Sequence, residues 1–326
     1  GCIREYLFCG QSFQGKNMMQ VFENTKEYGK VSNFRIAAAV VTYNRKELLV
    51  ECINALLKQT EPVDLMIIDN ASTDGTKEKI QEFISQEKVI YMNTGQNLGG
   101  AGGFHYALKE AVHRGYDYIW IMDDDTIPTP NALQELVQAI RDTDGKFGFL
   151  SSKAVWKDGA VCRMNEQKFL DSEEIKGRTF KKCRQATFVS MLVSAQTVME
   201  IGLPIKEFFI WGDDVEYTRR ISEKYPCYYV PESVVVHKTA NNEGSNIALD
   251  DVSRMQRYRY AYRNEVYIAK KEGFRRKIYQ ISKIMYHVVR VLVKSKGYRW
   301  KKIKIIVGAS AEGLRFCPAI EYVERK

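Results

Sequence analysis

Tyr116–Asp125 reads YDYIWIMDDD. An apolar run of strand length, nearly devoid of charge and closed by three carboxylates, predicts a buried strand that ends in acids. Ile36–Tyr43 (IAAAVVTY), Asp64–Asp69 (DLMIID) and Val89–Asn93 are apolar runs of the same kind. Helical segments separate them. Arg45–Gln59 carries Leu48, Leu49, Cys52, Ile53 and Leu56 at helical spacing, a helix is expected near Lys77–Gln86 after the turn NASTDGT, and Gly99–Arg114 and Asn131–Arg141 follow. Strand and helix alternating at this spacing predict an α/β fold with a parallel sheet and right-handed crossovers. Ligands of such sheets lie beyond the carboxyl ends of the strands. Asp69 and Asp123–Asp125 both fall there. After Phe147 strands mix with long loops up to His237, and Asp251–Glu272 and Phe274–Lys294 then read as helices. The stretch before about Asn17 reads as weakly structured.

With 326 residues, 45% of them hydrophobic, the chain is long enough for one large folded domain and an appendage. Its seven cysteines are odd in number and form no C-x-x-C pair, which points to scattered buried thiols in a reducing compartment and away from a zinc site or disulfide framework. No signal sequence and no run of 18 or more apolar residues is expected to insert in a membrane. The net charge of +9 is uneven: residues 270–304 hold 13 Lys and Arg against one acid, Glu272, so that window carries +12 and the remainder −3.

In an extended chain, residues two apart face the same way. Asp123 and Asp125 therefore point together into the crevice and Asp124 turns aside. Two carboxylates placed so beside a diphosphate suit Mg²⁺ or Mn²⁺, whereas the plainer reading is a solvated acidic turn before Pro128. Asp69 closes a strand and is followed by Ser72, Thr73, Asp74 and Gly75. It reads equally as an Asx turn and as an acceptor for a pyrimidine N–H. Asn97–Gly103 (NLGGAGG) does not fit the dinucleotide fingerprint and is read as room for a ligand beside the sheet. Trp211-Gly-Asp-Asp214 opens a helix, where acids are favoured by the dipole or where one serves as a general base. His237, after the strand Ser233–Val236, is either a packed residue or a third metal ligand.

VVTYNR (40–45), IIDNASTDGT (67–76), NLGGAGGF (97–104), MDDDT (122–126) and WGDDVEYTRR (211–220) come in the order of family 2 glycosyltransferases. The resemblance spans about residues 35–240 and looks most like bacterial galactofuranosyltransferases, with rhamnosyltransferases the nearest competitor. Gly212 is a departure, since some galactofuranosyl enzymes run Trp directly into Asp-Asp. The resemblance implies the GT-A fold: a mixed, mainly parallel sheet flanked by helices, with a C-terminal helical appendage. It divides the chain into an N-terminal extension (1–33), a catalytic domain (34–245) and a basic helical region (246–326). It implies that Thr42, Asn44, Arg45, Asp69, Asn97, Gly100, Asp123 and Asp124 contact a UDP- or dTDP-sugar. It further implies that Asp123, Asp125 and His237 hold Mn²⁺ or Mg²⁺, that Asp214 is the base of an inverting reaction, and that Trp211 and Asp213 shape the acceptor pocket. The best match is UDP-galactofuranose as donor to a lipid-linked cell-surface polysaccharide, with dTDP-rhamnose as the alternative. A nucleotidyltransferase would place a glycine- and arginine-rich loop where Thr42-Tyr-Asn-Arg45 stands. A non-catalytic nucleotide-sugar-binding module would not need the acids at 123–125 and 213–214.

Phe274, Ile278, Ile281, Met285, Val288 and Leu292 recur at 4-3-4-3-4 spacing with Arg275, Arg276, Lys277, Lys283, Arg290 and Lys294 between them. This amphipathic segment packs on the body or on a second copy, or docks 270–304 on an anionic membrane surface. Nucleic acid is the least favoured partner, because no recognition motif accompanies the charge. The expected location is cytoplasmic, peripheral on the inner face of the cell membrane. Tyr258–Tyr267 (YRYAYRNEVY) resembles a family segment near the active-site rim.

Overall fold

The computed structural model describes residues 34–325 except Asn241 and Glu243. The expectation for the stretch before Asn17 lies outside these residues. The first half follows the alternating pattern: β1 (Ile36–Thr42), α1 (Lys46–Leu56), β2 (Asp64–Asp69), α2 (Thr76–Lys79), α3 (Gln81–Ser85), β3 (Ile90–Asn93), α4 (Gly99–His113), β4 (Tyr118–Asp123), β5 (Thr126–Pro128) and α5 (Ala132–Asp142). The single helix expected near Lys77–Gln86 is two short ones, parted at Ile80, whose side chain drops into the core. Then come β6 (Phe149–Val155), β7 (Lys168–Ile175), β8 (Arg178–Gln185), β9 (Met191–Ser194), α6 (Ala195–Ile201), α7 (Asp213–Ser222) and β10 (Tyr228–His237). Three helices follow: α8 (Met255–Lys271), α9 (Phe274–Lys294) and α10 (Arg299–Arg315).

All ten strands join one mixed sheet in the order β3-β2-β1-β4-β9-β6-β10-β8-β7, with β5 on β10. The sheet and its flanking and C-terminal helices are those of the expected class. The pairs β3–β2, β2–β1 and β1–β4 are parallel, and β1, β2 and β4 are buried along nearly their whole length. Register brings Thr42 level with Asp69, and Val41 level with Asp123, so three strand ends meet at one edge. The core beneath is apolar, with Trp120 fully buried and its indole N–H donating to Ser190 Oγ at 2.8 Å. Cys52, Cys162, Cys183 and Cys227 are buried thiols. Among the described residues no helix is long and apolar enough to cross a membrane.

The C-terminal helices are tied to the sheet domain twice. Arg263 and Asn264 of α8 bond the carbonyls of the Glu207–Trp211 segment. Beyond α10, residues 316–325 run back over the base of the sheet. The amide of Leu203 donates to Glu321 O at 2.8 Å. The Glu321 carboxylate meets Lys109 Nζ at 2.6 Å, Lys206 Nζ at 2.9 Å and His105 Nε2 at 3.1 Å. Hydrogen bonds from Lys109 and Lys206 hold that carboxyl at about 2, below its ordinary range. Arg325 bonds Tyr116 O and Asp117.

Candidate active site

At the strand-end edge, side chains converge on the acid triplet. Asp124 is buried and faces β1. Thr42 Oγ1 donates to its Oδ2 at 2.8 Å, and Arg45 Nη1 lies 3.3 Å from its Oδ1. The same guanidinium lies 2.6 Å from Asp125 Oδ2, a cation seated between two carboxylates. Asp125 Oδ1 is 3.1 Å from His237 Nε2. β4 ends at Asp123, and Asp124 and Asp125 form a turn, not the extended chain expected, yet Asp123 and Asp125, with His237, present ligand atoms within 4.8 Å of one another. Two carboxylate oxygens and one imidazole nitrogen suit Mn²⁺ or Mg²⁺.

The ionisation of the cluster follows from burial and crowding. Burial, then the charge of Asp125, pushes the Asp123 carboxyl up to about 7. Burial pushes Asp124 up to about 6 despite Arg45. For Asp125 burial also acts upward, but the hydrogen bond and charge of His237 outweigh it and hold the carboxyl below its usual range. Burial disfavours the His237 imidazolium, yet the Asp125 hydrogen bond overrides it and takes the ring up to about 10. Three clustered carboxylates thus draw in whatever positive charge is near.

Asn165 is a residue that sequence reasoning missed. It is buried, and its Oδ1 accepts from His237 Nδ1 at 2.7 Å and from Cys162 Sγ at 3.0 Å, while its Nδ2 donates to Thr187 Oγ1 at 3.1 Å. This bond fixes the ring so that Nε2 faces Asp125, the outer-sphere arrangement usual for a ligating histidine. Nothing in the local sequence around Asn165 signals it, because the contact spans 72 residues.

The neighbouring strand ends are more occupied than expected. Asp69 is buried; its Oδ1 accepts from Ser72 N at 2.8 Å and its Oδ2 from Tyr91 Oη at 2.6 Å. The Asx-turn reading therefore accounts for one oxygen, and Tyr91, also missed, covers the other. Asn44, at φ 54°, links the β1 and β2 loops: its N–H donates to Ser72 Oγ and its Oδ1 accepts from Thr73 N at 2.7 Å. Asn97 Oδ1 accepts from Gly99 N at 2.9 Å at the start of α4.

The glycine run serves packing more than ligand room. At Gly99, with φ +70°, a Cβ would overlap the Phe209 carbonyl. At Gly102 it would meet Leu98, and at Gly103 Val41. Gly100 alone of the four faces open space. The close approach at Gly99 lets Ala101 N donate to Phe209 O at 3.1 Å, which joins α4 to the segment before α7.

That segment is conformationally strained. Phe209, Trp211 and Gly212 have φ of 61°, 66° and 88°, and the first two are residues that rarely adopt positive values. The fully buried Asn264 holds it, with Nδ2 donating to Trp211 O at 2.8 Å, Phe208 O at 3.0 Å and Ile210 O at 3.3 Å. Trp211 packs edge-on against Tyr258 of α8, with ring centroids 5.1 Å apart. The segment Tyr258–Tyr267 is thus the scaffold of this loop. Asp213 and Asp214 open α7, Asp213 buried and Asp214 half-buried. Burial, then Asp214 and more weakly Asp123, raises the Asp213 carboxyl far above its usual range. Asp213 therefore lies within electrostatic reach of Asp123. Burial pushes Asp214 up to about 6, against the hydrogen bond it accepts from Val215 N at 2.7 Å.

Residues 37–182 match the family model described as glycosyl transferase family 2. These residues carry the likeness to that family. The chain is 29% identical over 205 residues to a galactofuranosyltransferase of Mycolicibacterium smegmatis, covering 57% of this chain and 65% of that one. A galactofuranosyltransferase of Mycobacterium tuberculosis is 26% identical over 274 residues, 75% of this chain and 85% of the relative. The fold is similar to that of a solved mannosyltransferase from Pyrobaculum calidifontis in complex with GDP-Man and Mn²⁺. The TM-score is 0.52 at 15% identity, covering 92% of this chain and 81% of that structure.

Proposed function

We propose that the chain is an inverting, metal-dependent hexosyltransferase that moves galactofuranose from UDP-galactofuranose onto a lipid-linked cell-surface polysaccharide. The observation that carries this reading is the convergence of Asp123, Asp125 and His237, with Asp213 within electrostatic reach of Asp123 and Asp214 beside it in the chain. The similarity to two galactofuranosyltransferases supports the donor.

Asp123, Asp125 and His237 would hold the divalent cation, which when bound supplies charge neutralisation to the departing diphosphate. Arg45, now on Asp124 and Asp125, is the side chain free to turn toward phosphate, since half its surface is exposed. Gly100, where an added side chain would meet nothing, leaves open space at the start of α4 for the donor. Asp214 accepts the proton of the acceptor hydroxyl. As the hydroxyl oxygen bonds to the anomeric carbon, the bond from that carbon to the diphosphate oxygen breaks, and the diphosphate leaves with its electron pair. One displacement inverts the centre. Trp211 and Asp213 shape the acceptor side.

A thermal-shift panel of UDP-galactofuranose, dTDP-rhamnose, UDP-glucose and UDP-galactose, each with Mn²⁺, tests this. UDP-galactofuranose near 100 Kd should raise Tm by about 5 °C, and only with metal present. A shift with dTDP-rhamnose alone would reassign the donor, and no shift with any nucleotide sugar would remove the transferase reading.

Asn165→Ala should weaken Mn²⁺ binding about 10–100-fold, read by electron paramagnetic resonance titration without donor. Asn165→Asp, which keeps the acceptor for Nδ1–H, should recover most of the loss. Equal affinities in all three proteins would show that His237 orientation does not depend on this bond.

A further inference from the structure

The apolar stripe of α9 faces solvent. Phe274 is 76% exposed, Met285 64% and Val293 71%, with Ile278, Ile281 and Leu292 also exposed. The helix meets the body through a different side. Gln280 and Val291 are buried there, and Ile284 and Val288 pack against the cluster of Tyr258, Tyr262 and Ile306. At about 100° per residue the two faces lie about a third of a turn apart. Packing on the body, one of the readings open from the sequence, therefore uses the second face and leaves the stripe uncovered except at its edge residue Val288. From Phe274 to Leu292 the stripe runs about 27 Å. At the start of α10, Tyr298 and Trp300 are exposed too, Trp300 at 79%.

The same segment carries exposed cations: Arg275, Lys277, Lys294, Lys296, Arg299 and Lys301. The only acid of residues 270–304, Glu272, is turned inward onto Arg219 and Arg276. We infer that the outer face of α9, with the Tyr298–Trp300 turn, is a docking surface for an anionic lipid bilayer. The apolar stripe enters the acyl boundary, and the flanking Lys and Arg meet phosphate headgroups. Trp300 and Tyr298 have the amphipathic rings favoured at that depth. A second copy of the chain would set one basic segment against another, at a cost. A nucleic acid would satisfy the cations and leave the stripe in water. The inference rests on this exposed stripe and adds the contacting surface to the reading of a lipid-linked acceptor.

The test is flotation of the full chain with phosphatidylcholine vesicles and with vesicles that also contain phosphatidylglycerol. Hydrolysis of the nucleotide sugar is followed in lipid-free solution alongside. The chain should float with the anionic vesicles at least about tenfold better than with neutral ones and be released by high salt. Ile281→Glu combined with Met285→Glu should lower flotation by at least about tenfold with unchanged Tm and hydrolysis. Equal flotation of variant and parent, or none by the parent, overturns the inference. So does a parent dimer in light scattering that the variant splits while flotation persists. A chain that hydrolyses donor and does not float loses this surface alone; one that floats and hydrolyses none keeps the surface and loses the transferase reading.

Discussion

Asp214→Asn is expected to leave donor binding near that of the parent chain and to cut turnover by about 10²–10⁴-fold, the usual contribution of a positioned base. The carboxyl is half-buried in the first turn of α7, and burial raises it to about 6. A base must be ionised to accept a proton, so kcat/KM of the parent should climb with pH through about 6 and level off above it. The amide keeps the shape of the side chain and its contact with Val215 N, and it cannot take the proton. The rising limb should therefore vanish along with the rate. Initial rates from pH 5 to 8, with thermal shift for donor binding, measure both. A variant that retains more than about a tenth of the parent rate, with its acid limb intact, would move the base elsewhere.

Gly99→Ala should have the second largest effect, on stability and turnover together. An added methyl at φ +70° costs about 1–2 kcal/mol in a left-handed conformation. Overlap with the Phe209 carbonyl adds about 1–3 kcal/mol. The relief available is to push the Phe209–Gly212 segment off α4, against the three bonds from Asn264. Asp213 and Asp214 follow that segment directly, so the acids move with it. Gly100→Ala, one position on, meets nothing and sits in a helix, so it should be neutral or stabilising by up to about 1 kcal/mol. Urea unfolding and turnover of the two variants separate the cases. If both alanines behave alike, the close approach at Gly99 does not position the acids.

These two glycines also mark where the sequence was readable and where it was not. The parallel strands and the acids at their ends follow from apolar runs and local spacing, which is why Tyr118–Asp123 and Phe274–Lys294 lie where periodicity places them. Asp123, Asp125 and His237 come together as the motif order implied. Asn165, Tyr91 and Asn264 could not be found that way, because each matters through a partner 22 to 72 residues distant. The helix Arg299–Arg315 was missed for another reason. No helix is expected there from local spacing, and its packing is long-range: at Gly313 the missing side chain lets the helix lie against the Arg263 carbonyl and Val266 of α8. Periodicity also identified the amphipathic segment at 274–292 but not which way its apolar side would face. That direction is set by the second, inner face of Gln280, Ile284 and Val291, which the 4-3-4 count passed over.

The run-back of residues 316–325 bears on reach. With Glu321 gripped by three bases at the foot of the sheet and Asn264 gripping the loop above, the basic helices are no hinged arm. The height of the carboxylates over any plane on which α9 lies is then a fixed dimension of the polypeptide. An acceptor sugar would be chosen by how far its own stalk lifts it from that plane, since the enzyme has no joint with which to bend down to meet it.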